Sequence, residues 1–344
     1  MNNALRFVKR KINKTGTFAL ESSINGSFKM FNQNNECMKR LSLILFSVAI
    51  AVSGIFTSCT EDTDTSFDKP TIDVLLGGQA VSGTIEKTEG TALNFEVKFA
   101  MGAAEDKLTK IRITSLMGGK TFTVIDSVLD AGLFNSGKTE FVYTYNTSVG
   151  TSEEKLTFYT EDSKNRTQEE VITIKPVAIA PVGDFVTRTA ILMGGQDNAT
   201  YGSSYSISLN KVMTLLSAKE NSAAVDFMYY YGATNKATLG SPSSTDVQSV
   251  FSATKYPNTN VAGWATKNTT NFADVTVTSF DNITVTDFDA KVATVGTASP
   301  QSTQLAVGEV VAFKTATKSG LIKVEQISTT TSAGYIKISI KMKK

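Results

Sequence analysis

The sequence predicts a mostly β protein: an immunoglobulin- or cadherin-like sandwich followed by a larger β-rich sandwich or jelly-roll-like domain with short helices. Three observations predict it: short runs of alternating apolar and polar residues, turn residues between the runs, and no convincing long helix in the first domain. In Ala92–Phe99, for example, Leu93 and Phe95 share one face while Asn94 lies on the other. Seven such runs between residues 71 and 175 are typical of a sandwich of this kind.

The first domain is predicted to span residues 71–178. Its expected strands are 71–76, 92–99, 109–116, 121–128, 139–145, 154–160 and 169–175. Residues 161–165 between the last two strands have the composition of a turn. Pro176 and Pro181 are expected to interrupt the strand pattern and to form a stiff joint, because each fixes its own φ angle.

The second domain is predicted to span residues 183–344. Its clearest strands are 204–209, 224–231, 309–316, 320–327 and 334–342, with a hairpin turn at 318–320. Helical spacing predicts a helix over 212–221, and Ser244 is a plausible N-cap for a second helix over 244–251. Thr286 is expected to cap a third short helix over 287–291.

A leader precedes both domains. Lys39 and Arg40 form a positive start, and the apolar run Leu41–Phe56 is too short to span a membrane but suits a secretory signal, which predicts a signal peptide over 38–58. Small residues then precede Cys59, and this arrangement resembles the lipobox of bacterial lipoprotein precursors, with Phe56 where Leu is usual. The resemblance implies lipidation of Cys59 and anchoring in a membrane. An ordinary signal peptide or a buried helix is the alternative.

The flanks of the leader complete the expected domain map. Residues 59–70 form an acidic tether, and its cluster Thr60–Asp64 resembles the signal that sends Bacteroidota lipoproteins to the outer face of the outer membrane. A solvated linker is the simpler interpretation of the same residues. Residues 1–37 lie upstream of a complete signal and are interpreted as an extension from a start codon assigned too early. The expected location is the outer membrane, lipid-anchored and surface-exposed.

Composition excludes several classes of function. The chain has no histidine, so it has no Ser-His-Asp triad, Cys-His pair or His-ligated zinc. The first 58 residues carry eight basic and two acidic side chains, so the remainder has a net charge of −4. This balance argues against nucleic acid as a partner, and no cofactor is predicted.

A wider resemblance covers most of residues 185–344. It is carried by Val225–Gly232, Ala237–Pro242, Trp264, Asn268–Phe272 and Gly334–Lys341. These segments resemble the C-terminal half of uncharacterised Bacteroidota surface lipoproteins with tandem β-sandwich domains. Neighbouring classes, including the starch-utilisation type, bind glycans at the cell surface, which implies a glycan as the ligand.

Three aromatic residues are the candidate ligand contacts. Seven of the ten tyrosines and the single tryptophan lie in the second domain, and sugars stack on aromatic faces. Strand alternation places Tyr230 on the face opposite Tyr229, whose face is the expected core. Trp264 and Tyr256 lie in polar, loop-like surroundings. Packing within the core or at its rim is the alternative for each of them.

The predicted function is therefore a non-enzymatic cell-surface lipoprotein that binds glycan through its C-terminal domain. One alternative is a structural or adhesion lipoprotein, or an accessory subunit that recognises an outer-membrane protein. Another is a glycoside hydrolase that uses two carboxylates, but no spacing singles out a pair. Its candidates are Asp226, Asp246, Asp274 and Glu309. Two weaker patterns are a calcium site at residues 281–289 and an O-glycosylation site at Asp126–Val128.

Overall fold

The computed structural model describes residues 69–102, 106–128, 138–296 and 299–344. The predicted extension, signal peptide, Cys59 and nearly all of the acidic tether lie outside these residues. The described part is mostly β, with 48% strand and 10% helix, which confirms the predicted fold class. None of its helices is both long and apolar enough to cross a membrane.

The first lobe is a sandwich of two sheets. Its strands in chain order are β1 (Thr71–Leu76), β2 (Gln79–Ala80), β3 (Gly83–Thr88), β4 (Ala92–Ala100), β5 (Leu108–Met117), β6 (Lys120–Asp126), β7 (Glu140–Ser148), β8 (Glu154–Asp162) and β9 (Thr167–Val177). One sheet has the order β2-β1-β4-β7 and the other β3-β9-β8-β5-β6. With β1, β4 and β7 as strands A, B and E, and β5, β8 and β9 as C, F and G, the pairing is that of an immunoglobulin-type sandwich.

The core of the first lobe follows the alternation of the sequence. Along β4, Leu93, Phe95, Val97 and Phe99 are buried, and the residues between them are more exposed. Strand β3 has no counterpart among the predicted strands. It is an edge strand that pairs in parallel with β9, and most of its residues are exposed, so it carries little apolar signal.

The predicted interruption at Pro176 is wrong. Strand β9 continues to Val177, and Pro176 pairs with Lys87 of the edge strand β3. On its other side β9 pairs with β8 only as far as Ile174, so the missing backbone N–H of Pro176 leaves no ladder partner unpaired.

The second lobe is also built on two sheets. Its strands are β10 (Phe185–Gly194), β11 (Ser204–Ser206), β12 (Lys211–Met213), β13 (Phe227–Gly232), β14 (Lys236–Gly240), β15 (Asn271–Val275), β16 (Val310–Lys314), β17 (Ser319–Ile327) and β18 (Tyr335–Lys343). Its helices are α1 (Leu215–Glu220), α2 (Thr245–Val250) and α3 (Val285–Ala293), with 3-10 turns at Ser222–Ala224 and Val261–Gly263. The sheet orders are β10-β18-β17-β16-β15 and β12-β11-β13-β14.

Three layers of apolar side chains hold the second lobe together. Between its sheets lie Phe227, Tyr229, Phe272 and Phe313 with their aliphatic neighbours. A second cluster, around Phe288 of α3, covers the outer face of the five-stranded sheet. The third covers the outer face of the four-stranded sheet, so that this sheet is buried on both sides.

Local details differ from the predictions at several places, for example at both ends of the helices. Only Leu215–Glu220 of the predicted helix 212–221 is helical, because Lys211–Met213 pairs as β12 with β11 and Thr214 caps the helix. Helix α3 begins at Val285, since Thr284 rather than Thr286 accepts a hydrogen bond from the Asp287 N–H (3.1 Å). The hairpin turn falls at residues 315–318, and β17 already begins at Ser319.

Candidate functional site

The two lobes meet in a shared apolar cluster. Met117 and Phe122 of the first lobe pack with Met228, Tyr230 and Trp264 of the second, and all five side chains are at most 4% exposed. The described residues of both lobes accordingly belong to one compact unit. Burying these groups together couples the lobes through the hydrophobic effect, so the first lobe is fixed to the second rather than joined by a hinge.

A buried ion pair lies beside this cluster. Lys211 Nζ of the second lobe donates to both carboxylate oxygens of Glu154 in the first lobe, at 2.6 and 2.9 Å. Ser115 Oγ donates to the same carboxylate at 2.5 Å, and Lys211 Nζ also reaches the backbone oxygen of Ser148 at 3.2 Å. The Glu154 side chain is 0% and the Lys211 side chain 5% exposed, so each charge depends on its partner.

Further polar contacts cross the interface. Glu220, at the end of α1, accepts hydrogen bonds from the backbone N–H and the hydroxyl of Thr123, each at 2.9 Å. In addition, Glu89 lies 3.1 Å from Arg188 Nε and accepts a hydrogen bond from Asn210 Nδ2 at 3.1 Å. These contacts fix the relative orientation of the lobes at several separate points.

A groove runs along this interface. One part of it is a cleft of about 220 Å³, lined on one side by Tyr143 and Tyr145 of β7 and on the other by Tyr201 and Tyr256. A neighbouring hollow of about 270 Å³ shares Tyr201 and Asn146 with it, so the two form one groove between β7 and the second lobe. We call this the inter-lobe groove.

The tyrosines of the groove are placed by well-ordered local contacts. The Tyr256 hydroxyl donates to the backbone oxygen of Gln196, and burial raises the pKa of that phenol above its usual value. Tyr201 packs edge-on against Tyr335 with 5.4 Å between ring centroids. The Asn198 side chain accepts hydrogen bonds from the backbone N–H groups of Thr200 (2.8 Å) and Tyr201 (2.7 Å), which fixes the loop that carries Tyr201.

Tyr230 lies on the face that alternation predicts, but that face is buried. Its side chain is on the opposite face of β13 from Tyr229, as predicted, but that face is covered by the shared cluster and Tyr230 is 1% exposed. Its hydroxyl lies 3.2 Å from Gln301 Oε1. The expectation that this residue presents a ring to a ligand is therefore wrong for this conformation.

Trp264 is likewise part of the shared cluster. The indole is 2% exposed, and its Nε1 donates to the backbone oxygen of Thr259 at 3.0 Å. Neither face of the ring is open to a sugar, so the packing alternative holds here. Of the three predicted aromatic contacts, only Tyr256 lies at a cleft.

Sequence reasoning missed Tyr143 and Tyr201. Tyr143 lies in the first domain, and the alternation of its strand gives no sign that β7 borders another lobe. The signal that could have found Tyr201 is its setting, where it follows the polar segment Gln196–Thr200. Gly194 supports this loop, since a Cβ there would clash with the backbone oxygen of Tyr201.

The carboxylates considered for hydrolysis are each held by separate partners. Asp246 accepts hydrogen bonds from Asn235 (3.1 Å) and Gln301 (2.9 Å), and Asp274 accepts one from Thr303 at 2.7 Å. Glu309 binds the backbone N–H of Ala306 at 2.8 Å. These contacts give each of the three a local structural role, Asp246 in α2, Asp274 in β15 and Glu309 just before β16.

The two weaker patterns also have local structural roles. Asp287 accepts a hydrogen bond from the Thr284 hydroxyl (2.8 Å), and Asp289 pairs with Lys343 (2.6 Å). Within the described ranges, no group of three or more His, Cys, Asp or Glu residues could hold a metal ion. Ser127 is 8% exposed and its Oγ accepts a hydrogen bond from the Ile111 N–H at 3.0 Å, so its hydroxyl faces inward.

Comparison with solved structures gives a distant structural likeness. No family model and no curated protein matches the chain. The chain is similar to a crystal structure of a DUF4466 family protein from Parabacteroides merdae, with 14% identity, a TM-score of 0.32, and coverage of 80% of this chain and 99% of that one. That neighbour is an uncharacterised protein from a species of the Bacteroidota. The fold assignment rests on the strand pairing above and draws nothing from a likeness of this size.

Proposed function

We propose that this protein is a non-enzymatic surface lipoprotein that binds a neutral glycan in the inter-lobe groove. The observation that carries the proposal is a groove with tyrosines on both walls, three of which, Tyr143, Tyr201 and Tyr256, are half-buried. Half-buried rings suit a saccharide because one face packs on the protein while the other remains open to a sugar ring.

The polar lining of the groove fits the same ligand class. Asn146 and the hydroxyls of Ser203 and Thr214 line it together with the tyrosines. Ligand sites of this type combine a largely apolar surface with a few placed polar groups that set orientation. Because Lys211 is already paired with Glu154, the lining offers little unpaired charge, which favours an uncharged sugar.

The anchor belongs to the same proposal. Acylation of Cys59, followed by the acidic tether, would hold the lobes at the outer surface of the outer membrane. Intact-mass analysis of the protein purified from membranes tests this part. A mass increase equal to diacylglycerol plus a fatty acid, with residues 1–58 removed, is the expected result, and an unmodified Cys59 thiol would contradict it.

Binding is tested by affinity gel electrophoresis of residues 60–344 in gels that contain neutral polysaccharides such as starch, dextran or xyloglucan. Retardation by at least one of them is expected. Replacing Tyr201 by Ala should weaken that retardation about tenfold, since a stacked ring contributes about 1.4 kcal/mol. Tyr143→Ala should have a similar effect from the other wall of the groove.

Tyr159→Ala is the matched control. Tyr159 is also half-exposed, but it lies on β8 away from the groove. Its ring packs under Arg112, with 5.2 Å between the ring centroid and Arg112 Cζ. Its replacement should leave retardation unchanged. Equal losses in all three variants, or no retardation in any gel together with a stoichiometric protein partner from membranes, would favour the adhesion alternative.

A further inference from the structure

A second cleft lies in the C-terminal lobe, apart from the inter-lobe groove. It measures about 720 Å³ and is formed by the 3-10 turn before β13, the residues that lead into β15, the end of α3 and the turn between β16 and β17. None of the described residues that line it is aromatic. Its chemistry is therefore different from that of the groove, and we call it the lysine cleft.

Three lysines and one carboxylate set the charge of the lysine cleft. Lys267, Lys314 and Lys318 line it together with Asp226. Within the described ranges, neither Lys314 nor Lys318 forms an ion pair. Cations without partners in a concave wall give a positive potential that attracts anions.

One of these cations is held in place by the fold. Lys267 Nζ donates to the backbone oxygens of Ala262 (3.2 Å) and Trp264 (3.0 Å), at the 3-10 turn that carries the buried indole. An ammonium group has three donors, so one remains for a ligand. Fixing the side chain in advance lowers the entropy that binding must otherwise remove.

One residue that lines the cleft carries an unsatisfied acceptor. Asn271 Oδ1 is buried and has no hydrogen-bond partner among the described residues. Asn271 is the cross-strand partner of Lys314, so the acceptor and the ammonium lie on the same face of the sheet. A ligand that supplies a hydroxyl beside an anionic group would satisfy both.

We propose that the lysine cleft binds an acidic saccharide, one that carries carboxylate or sulfate groups beside its hydroxyls. The unpaired lysines meet the anionic group, and Asn271 Oδ1 accepts a hydroxyl. Among the described residues its lining has no aromatic side chain, which separates this site from the stacking groove.

Asp226 would make this binding depend on pH. Burial raises the pKa of its carboxyl to about 6, against the opposing effects of the Ile207 N–H (2.6 Å) and of the charges of Arg188 and Lys318. Below pH 6 the carboxyl is neutral and no longer repels an anion. Binding should therefore be several-fold tighter at pH 5 than at pH 8, and Asp226→Asn should remove that difference.

The test measures binding to residues 60–344 by affinity electrophoresis and calorimetry. The acidic probes are polygalacturonate and dextran sulfate, and the neutral probe is unsulfated dextran. We expect an acidic probe to bind and the Lys314→Gln/Lys318→Gln double variant to bind it about tenfold more weakly, with a shallower salt dependence. The matched control is Lys155→Gln/Lys175→Gln, which removes two exposed lysines of the first lobe and should leave binding unchanged.

Two further measurements complete the test. Asn271→Leu leaves the charge of the lysine cleft unchanged and should weaken binding of the acidic saccharides several-fold. Polyglutamate should bind the wild type and this variant equally. Binding of polyglutamate as tight as that of both acidic polysaccharides, or equal losses in the two double-lysine variants, would overturn the proposal. Tyr201→Ala should leave acidic probes bound, so failure here is distinguishable from failure of the groove.

Discussion

Removing the ammonium of Lys211 should destabilise both lobes together. Lys211→Met keeps most of the aliphatic chain but leaves the Glu154 carboxylate, which is 0% exposed, with the Ser115 hydroxyl as its remaining side-chain partner. Breaking a buried ion pair by removing one partner costs about 3–5 kcal/mol, because the other charge stays buried without compensation. We expect a loss of about 4 kcal/mol in the free energy of unfolding, toward the middle of that range.

The assay is urea unfolding followed by tryptophan fluorescence. Trp264 is the only tryptophan and lies in the cluster shared by both lobes, so its emission reports on the interface. The midpoint should fall while the dependence on urea concentration stays the same, since the surface exposed on unfolding is unchanged.

A second variant separates charge burial from lost packing. Lys211→Met combined with Glu154→Gln removes both charges and keeps the Ser115 contact, so it should be more stable than Lys211→Met alone. A loss below about 1 kcal/mol in the single variant, or no recovery in the double variant, would refute the argument that the two charges depend on each other.

Three more predictions concern other parts of the molecule. In thermal unfolding, Asp226→Asn should stabilise the protein by up to about 3 kcal/mol at pH 8 and by little at pH 4. The reason is that the carboxyl pKa of Asp226 is raised from 3.8 to about 6, so the stability of the wild type falls as pH rises between these values. Phe122→Ala should cost about 3–5 kcal/mol and red-shift the Trp264 emission, since both side chains belong to the shared cluster; an unshifted spectrum would contradict that assignment. Tyr256→Phe should keep glycan retardation, because the ring remains, but should lower thermal stability by about 1 kcal/mol as the Gln196 contact is lost; abolished binding would mean that the hydroxyl itself holds the sugar.

The sequence predicted individual strands well where one face meets a core and the other meets solvent. Strand β4 is such a case, and its alternating burial matches the pattern of its residues. Strand β10 was missed because a bulge at Arg188–Ile191, with Ala190 at φ +59°, breaks its alternation. Short strands β14 and β15 carry too few residues for the pattern to be distinctive.

At β13 the prediction of exposure failed for a different reason. Alternation correctly assigns Tyr229 and Tyr230 to opposite faces, but it contains no information on what covers each face. The cover of Tyr230 comes partly from Met117 and Phe122, which lie more than 100 residues earlier in the chain.

The inter-lobe contacts were beyond reach of the same reasoning. Glu154 and Lys211 are 57 residues apart, and each resembles an ordinary surface charge in its local sequence. Only the packing of two separately patterned lobes brings them together. The groove tyrosines Tyr143 and Tyr201 were missed for the same reason, since each wall comes from a different lobe.

The apolar cluster that the lobes build together determines which piece of this chain can be moved into another protein. Without the second lobe, the first lobe would expose Met117 and Phe122 to water. Without the first lobe, the second would lose part of the packing that covers Tyr230. Either fragment would carry an exposed apolar patch and would tend to self-associate. Gene duplication or domain shuffling would therefore have to transfer residues 71–344 together to yield a folded protein that does not self-associate.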